Sequence, residues 1–314
     1  MPTIKGSGLC LGIEIGGTKL QIFVGDGTGR VQERLRYPVD QSAGGAGIRS
    51  QIEKVIPELA RQTNVTAIGV GFGGPVDGAS GRICCSHQIE GWSDFPLGAW
   101  LAELSGVPVR VENDANTGAL GEALHGAGRG FKTVFYVTLG SGVGGGLAQE
   151  GTIYHGASPG EAEIGHIRLD KIGSTLESRC SGWAVDARIR EAVAQNPASR
   201  LAKCVGGAPG HEARHLAAAL EAGDDIAEII LIDTSDDLAF GLSHVTHLFH
   251  PEVIVLGGGL ALVGEALRVA VARALPRYVM SAFAPGPKIA LSELCEDAVP
   301  IGALSLASGI HMSC

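Results

Sequence analysis

The stretch ENDANTGALGE, residues 112–122, lies where one periodicity gives way to another. Ahead of it, VPVRV (107–111) alternates apolar residues as a short strand does. Behind it, small residues run through Leu120 and Leu124 in a helical pattern that Gly126 and Gly128 close. The stretch predicts a strand-to-helix corner bearing Asn113, Asp114 and Asn116, and such corners project side chains into the crevice at the carboxyl ends of strands. Asn and Asp are also ordinary turn and N-cap residues, and that reading stands beside a chemical one. What favours chemistry is company. Three glycine-rich turns elsewhere in the chain are each placed to hold phosphate, and an acid beside such turns can take the proton from an attacking hydroxyl.

Working outward, the N-terminal part reads as a glycine-turned antiparallel meander. LCLGIEI (9–15), LQIFVG (20–25) and VQERLRY (31–37) are its strands, with GGTK (16–19) and GDGTG (25–29) as turns. In the third strand Val31, Leu35 and Tyr37 share a face opposite Gln32, Arg34 and Arg36. Ile48, Ile52, Val55, Ile56 and Leu59 then recur at helical spacing. AIGVGFGG (67–74) is a buried strand entering a glycine loop, RICC (82–85) a strand holding Cys84 and Cys85, and 96–104 a helix with proline in its first turn.

Beyond the corner, TVFYVTLGSGVGGGLAQ (133–149) repeats the opening layout of strand, glycine turn and strand, so Gly140 corresponds to Gly16. This internal echo predicts a duplicated architecture with one phosphate-facing turn in each half. Residues 158–181 look irregular. Helices follow over about 182–195, 211–222 and 225–249, then a strand at 252–259, a helix over 261–277, a strand over 288–294 and a closing helix over 302–310.

Composition sets limits on partners. The 314 residues suffice for two domains, and 45% hydrophobic with 18% charged residues is a globular balance. A net charge of −9 argues against nucleic acid, whose phosphates are bound by an excess of Lys and Arg. No apolar run approaches the ~20 residues that span a bilayer. The first apolar run starts at Leu9 and is broken by Glu14, unlike a signal peptide. Seven cysteines without a CxxC pair suit a reducing cytoplasm.

Glycine turns hold phosphate because their backbone N–H groups approach the oxygens unobstructed. Gly16-Gly17-Thr18-Lys19, Gly140-Ser141-Gly142 and Gly257-Gly258-Gly259 each follow a strand, and none is a Walker A loop. Gly140, Gly142 and Gly145 spell GxGxxG, but the dinucleotide fingerprint needs a helix next and GGLAQEGTIYHG reads as turn and strand. His211-Glu212-Ala213-Arg214-His215 spells HExxH on a plausible helix. Its polar surroundings and lack of any further histidine signature make it a chance match. His244, His247 and His250 read as packing or helix-capping residues.

Together these residues resemble the ROK family of repressors and sugar kinases, within the actin-like ATPase superfamily, from Leu9 to about Ile310. Glu14 to Lys19 resembles the family's first phosphate loop, Thr138 to Gly146 the second, Glu112 to Asn116 the catalytic segment, Glu163-Ile164-Gly165-His166 the sugar signature and Gly257 to Gly259 the adenosine loop. The resemblance implies a two-domain α/β fold, ribonuclease H-like and duplicated, with the active site in an interdomain cleft. Residues 1–115 plus 298–314 would form the smaller domain and 116–297 the larger. It implies ATP- and Mg-dependent phosphorylation of a hexose 6-hydroxyl, glucokinase-like, in a cytoplasmic homodimer. Asp114 would be the base, and Asn113 would hold a sugar hydroxyl. Gly74 and Pro75 would line the sugar pocket, and Glu163, His166 and Glu177 would bind ring hydroxyls, with Glu161 open as a plain loop acid. Glu14, Gly16, Gly17, Thr18, Lys19, Thr138, Gly140, Ser141, Gly142, Gly257, Gly258 and Gly259 would hold the nucleotide, Glu14 also serving Mg.

Three departures from the family pattern matter. Glu14 stands where the family has Asp, Gln88 where an Asn often precedes Gly91-Trp92, and IRLDKIGSTL (167–176) carries none of the family's zinc-binding cysteines. Alternatives within the resemblance are a non-catalytic sugar sensor, motivated by Glu14, and a kinase for mannose, fructose or an N-acetylated hexosamine. Repressor members carry a helix-turn-helix ahead of the first strand; here that strand begins by residue 9, and the acidic charge disfavours DNA. Because thiolates are the usual ligands of closed zinc sites, metal analysis of protein purified without metal-affinity steps should find far less than one zinc per chain.

Overall fold

Glycines decide how closely the layers of this chain approach. The computed structural model describes residues 8–86, 89–157, 160, 162–206 and 210–309; Gln88 and Glu161 lie outside them. In chain order the first elements are β1 (Cys10–Ile15), β2 (Lys19–Gly25), β3 (Val31–Pro38), α1 (Gly44–Thr63) and β4 (Ala67–Phe72). Next come β5 (Val76–Asp77), β6 (Arg82–Ile83), α2 (Leu97–Ser105), β7 (Val109–Asn113) and α3 (Asp114–His125). The second half opens with β8 (Thr133–Leu139), β9 (Val143–Gln149) and β10 (Thr152–Ile153), followed by α4 (Leu176–Cys180), α5 (Gly182–Gln195), α6 (Arg200–Val205) and α7 (Leu216–Glu221). It ends with α8 (Asp225–Phe249), β11 (Val253–Gly257), α9 (Glu265–Ala274), β12 (Lys288–Leu291) and α10 (Ala298–Ser308).

The chain forms two compact units. Unit 1 takes the described residues of Met1–Gly130, Gly146–Glu161 and Glu296–Cys314, and unit 2 those of Phe131–Gly145 and Ala162–Cys295. Against the boundaries expected from the resemblance, unit 1 thus also takes α3 and the segment from Gly146. His155 of that segment reaches Glu112 at the end of β7, Nε2 to Oε1, at 3.3 Å.

Unit 1 is built on a five-stranded sheet in the order β3-β2-β1-β4-β7. The meander pairs antiparallel, whereas β1, β4 and β7 run parallel. One face carries Ile13, Ile15, Ile68, Val70 and Phe72, buried with Ile48, Ile52, Ile56 and Leu59 of α1. Phe72, Trp92, Phe95 and Trp100 extend that core edge to face, with successive centroids 5.3, 5.4 and 5.6 Å apart. On the opposite face Gly12, Gly69 and Gly71 leave a strip without side chains, and α10 lies along it. A Cβ on Gly12 would stand 2.4 Å from the Pro300 carbonyl oxygen, and one on Gly69 only 1.9 Å from that of Ala303. The contact between α10 and α3 is as tight. A Cβ on Gly302 would fall 1.8 Å from the Thr117 oxygen, and one on Gly121 2.3 Å from that of Ala298.

The second sheet has the order β10-β9-β8-β11-β12, with β8, β11 and β12 parallel. The boundary between the units falls within β9. In unit 2, Asp224 precedes α8 and caps it, its side chain accepting the Ala227 N–H. Among the described residues no helix is long and apolar enough to cross a membrane.

Several sequence readings change. Cys84 and Cys85 are not in a strand: β6 ends at Ile83, and the Cys84 amide donates instead to the Pro75 carbonyl at 3.0 Å. The helix expected over 261–277 is three pieces, a 3-10 turn at Gly259–Val263, then α9, then a second 3-10 turn at Leu275–Arg277. Gly264, at φ 80°, stops the first, and Pro276 offers no N–H to continue α9. The strand expected over 107–111 starts only at Val109, and the helix over 211–222 is a 3-10 turn at Glu212–His215 followed by α7. Residues 158–181, read as irregular, hold a 3-10 turn at Ile164–His166 and the short helix α4.

Replacing Gly302 by Ala drives a methyl into a carbonyl oxygen with helix on both sides. Overpacking of this kind costs about 3 kcal/mol or more, and a shift of that size in urea denaturation at constant m-value would verify the contact.

Candidate active site

In unit 1 the parallel register aligns three strand ends. Ile15 pairs with Phe72, and Phe72 with Asn113, so the chain leaves β1, β4 and β7 side by side at Gly16, Gly73 and Asp114. The Gly73 amide donates to the Ile15 carbonyl at 2.9 Å. A Cβ on Gly73 would stand 3.6 Å from Asp114 Oδ2 and 3.7 Å from the Gly16 Cα. The Asp114 carboxylate therefore lies beside the first glycine turn, which closes through the Gly16 N–H donating to the Lys19 carbonyl at 3.1 Å.

Asn113 caps the helix that follows it and also reaches the neighbouring loop. Its Oδ1 caps α3 by accepting the Ala115 and Asn116 N–H groups at 2.8 and 3.2 Å. Its Nδ2 donates to the Gly74 carbonyl at 3.1 Å, tying the corner to the loop of Gly74 and Pro75. Among the described residues this is the one bond its amide group donates, and the group can donate two. Thr18 is exposed, with its carbonyl accepting the Val39 N–H, while the Gly17 carbonyl accepts from Gln41. Glu14 is 8% exposed. Burial pushes its carboxyl above the usual range, against the pull of Lys19, whose Nζ is 3.4 Å from Oε1, and of Gln21, whose Nε2 donates to Oε2 at 2.5 Å. Sequence reasoning missed Gln21 and Gly73. The hairpin register places Gln21 opposite Glu14 and was readable, whereas the nearness of Gly73 to Asp114 was not.

In unit 2, β8 and β11 bring two glycine turns to one sheet edge. Thr138 pairs with Gly257, and a Cβ on Gly258, at φ 79°, would lie 2.6 Å from backbone atoms of Leu139, directly before Gly140-Ser141-Gly142. Gly259 faces open space. The Gly140 carbonyl accepts the Gly182 N–H at 2.7 Å, so the start of α5 abuts the turn. β9 follows Gly142, so GxGxxG opens a strand rather than a helix.

Glu177 reaches back to this turn. Its Oε2 accepts the Val143 N–H at 2.9 Å and would stand 2.5 Å from a Cβ on Gly142. Glu163 and His166 bracket one 3-10 turn, the His166 N–H donating to the Glu163 carbonyl at 3.1 Å, and both side chains are exposed. Gly165 between them packs on the Val143 carbonyl and on Glu177. Unit 2 thus gathers Glu163, His166 and Glu177 around the start of β9.

The other motifs are structural. Glu212 of HExxH is 1% exposed and takes both its oxygens to Arg190 Nη1 at 2.8 Å. Its burial works upward on the pKa, but Arg190 and the Gly210 N–H outweigh it and hold the carboxyl below the usual range. His247 accepts the Met280 N–H, His250 stacks on Phe283 with centroids 4.0 Å apart, and His244 meets Phe240 edge-on.

Phosphate-type turns, a carboxylate at a strand-to-helix corner and an acid–histidine turn thus occur in the order that the resemblance requires, and the ROK family model matches residues 10–310. The chain belongs to the ROK family. It is 30% identical to a glucokinase of Thermotoga maritima over 98% of both chains. To a glucokinase of Halalkalibacterium halodurans it is 30% identical over 93% of this chain and 92% of that one. A ROK family glucokinase from Streptomyces griseus, solved in complex with glucose and AMPPNP, is 29% identical, with a TM-score of 0.84 over 96% of this chain and 100% of that one. The fold is the α/β actin-like ATPase fold of these ROK structures.

Over 167–176, which carries no cysteine, the chain closes a short loop on a carboxylate. Asp170 Oδ1 accepts the N–H groups of Ile172, Gly173 and Ser174 at 2.8, 2.8 and 3.2 Å. The Leu169 N–H donates to the Ser174 carbonyl, and Arg168 bridges to Thr175. Thr175 then caps α4 reciprocally with Ser178, which sets Glu177 in the first turn. The Ser174 hydroxyl, followed by the three amides, lowers Asp170 from its ordinary 3.8 to about 2. A depressed carboxyl stabilises the fold above its unfolded pKa and loses that effect as pH falls through the folded one. The advantage of wild type over Asp170→Ala in urea denaturation should therefore be level above about pH 4 and fade towards pH 2. At pH 7 the variant should exchange the amides of 172–174 roughly 10-fold faster, since each loses a charge-assisted bond.

Proposed function

We propose that this ROK family member is a sugar kinase that transfers the γ-phosphoryl group of ATP to the 6-hydroxyl of a hexose, with glucose as the first expectation. The observation that carries the reading is the register of Ile15, Phe72 and Asn113, which sets the Asp114 carboxylate beside Gly16 and Gly73. A base is needed within reach of a hydroxyl that attacks phosphate, and a glycine turn is where phosphate oxygens are held.

In this reading Asp114 accepts the 6-hydroxyl proton as that oxygen bonds to the γ-phosphorus. The bond from phosphorus to the bridging oxygen of ADP breaks in line. Asn113, with its remaining amide hydrogen, and the backbone at Gly74 and Pro75 orient the sugar. Glu163, His166 and Glu177 fix its ring hydroxyls, carboxylates accepting in set directions and so discriminating the hydroxyl pattern. Gly16 to Lys19, Thr138 to Gly142 and Gly257 to Gly259 hold the nucleotide.

The residues present also fit Mg that arrives with ATP. Among the described residues no group of three or more His, Cys, Asp or Glu could hold a metal ion. Mg ordinarily needs only one or two carboxylates beside phosphates and waters. Glu14 offers one, its oxygens meeting Lys19 and Gln21 among the described residues. Bound there, Mg would neutralise charge on the transferring phosphate. The retained carboxylate at the turn favours a kinase over a sensor. The proposal further takes residues 1–115 with 298–314 and residues 116–297 as the functional domains, and a cytoplasmic homodimer as the working form, in keeping with the resemblance.

Asp114→Asn keeps the shape of the side chain but cannot accept a proton. Turnover should fall by ~10²-fold or more while hexose affinity stays within about twofold. ADP release over a panel of glucose, mannose, fructose and N-acetylated hexosamines measures both this and the preferred sugar. Near-normal turnover in the variant would remove Asp114 from the mechanism.

A further inference from the structure

Glu14, Gln21 and Arg36 stand directly opposite one another across β1, β2 and β3. Gln21 is 3% exposed, an unusual position for an amide on a strand packed into a core. Its Nε2 donates to Glu14 Oε2 at 2.5 Å, and its Oε1 accepts from Arg36 Nε at 3.1 Å. Arginine can only donate, so the Gln21 oxygen must face Arg36 and the NH₂ must face Glu14. The amide has a single workable orientation. Arg36 is fixed in turn by Glu296, just ahead of α10, through its Nη2. Gln21 Nε2 also lies 3.4 Å from the Glu296 carbonyl.

We propose that Gln21 and Arg36 are positioning residues, holding the Glu14 carboxylate at the first glycine turn in the geometry that Mg–ATP requires. Glu14 and Gln21 are matched in length. Opposed Cβ atoms on paired strands are ~4.5–5.5 Å apart, and an aspartate at position 14 would withdraw its oxygens by about 1.5 Å. The longer acid thus comes with an amide that anchors it, while Lys19 takes the other oxygen from within the turn. Chains of this kind orient ligating carboxylates elsewhere, and breaking them typically costs ~10- to 100-fold in metal affinity or activity. The inference rests on the kinase reading, and its test separates the two.

Gln21→Met keeps the buried volume but removes both polar ends. It should be compared with wild type, Arg36→Met, Glu14→Gln and the two double variants carrying Glu14→Gln. The readouts are kcat, the KM values for Mg–ATP and hexose, Mg–AMP-PNP affinity by calorimetry, and the urea midpoint. Gln21→Met should lower kcat ~10-fold and weaken Mg–AMP-PNP binding, with hexose KM within about twofold; Arg36→Met should act in the same direction, less strongly. In the Glu14→Gln background either change should add less than about twofold, because the group being positioned is gone. Equal losses in both backgrounds, no loss in wild type, or a hexose KM that rises in step with a falling urea midpoint would overturn the inference. Should wild type phosphorylate no hexose, the kinase reading fails alone, and the same cycle read in Mg–AMP-PNP affinity still decides the role of Gln21. Absence of Mg–AMP-PNP binding to wild type would overturn that role as well.

Discussion

Parallel pairing of β1 with β4 and of β4 with β7 is the constraint on which the chemistry of unit 1 depends. Parallel strands leave a sheet at the same edge, and the register here makes their last residues neighbours. Gly16, Gly73 and Asp114 lie far apart in the chain, and that register leaves no more room at Gly73 than a Cβ in contact with both neighbours would fill. A slip of one residue in β7 would turn Asn113 and Asp114 to the other face and dismantle the corner. Unit 2 uses the same device with β8 and β11, whose ends carry Gly140 and Gly258. The duplicated layout is thus two sheets, each presenting loops from the carboxyl ends of parallel strands.

A charge placed inside such a sheet must be held. The row one step back from the strand ends reads Arg36, Gln21, Glu14, Gly71 and Glu112 across the five strands of unit 1. Burial works against the Glu14 carboxylate, and its neighbours return part of the loss through an ammonium and an amide. Breaking one partner of a buried ion is costlier than never having placed the ion there. The arrangement sacrifices stability for a carboxylate at the first glycine turn, an exchange common where a protein keeps a site for function.

Much of this was legible in the residues. The meander, the strand-to-helix corner and the three glycine turns follow from alternation, capping chemistry and the permissiveness of glycine. Asn113 performs the capping role read from the sequence, and its side chain also ties the corner to the loop at Gly74, a contact the sequence did not announce. Other features were hidden for identifiable reasons. Glu177 looked like a ligand for sugar alone, and its bond to the Val143 amide depends on a contact 34 residues back in the chain. The role of Asp170 was hidden, because nothing local says that three successive amides will turn towards it. Over 261–277 the helical apolar pattern persisted through Gly264 and Pro276, and the breakers outweighed the pattern. HExxH was set aside on its surroundings, and the decisive fact, Arg190 on Glu212, lies in another helix.

The glycine groove on unit 1 also has a bearing on the order in which the chain can mature. The face of Gly12 and Gly69 is covered by α10, whose residues follow all of unit 2 in the sequence. During synthesis the strands of unit 1 emerge first, but their sheet has an uncovered face until residues 298–308 leave the ribosome. Domains generally fold as units, in the order they are made. Here the last contribution to the first sheet arrives after the second unit has been translated in full. Completion of unit 1 is a long-range closure, slow in proportion to the separation of its parts. A nascent chain stalled before α10 would present an exposed glycine-lined sheet face, the kind of surface that chaperones protect.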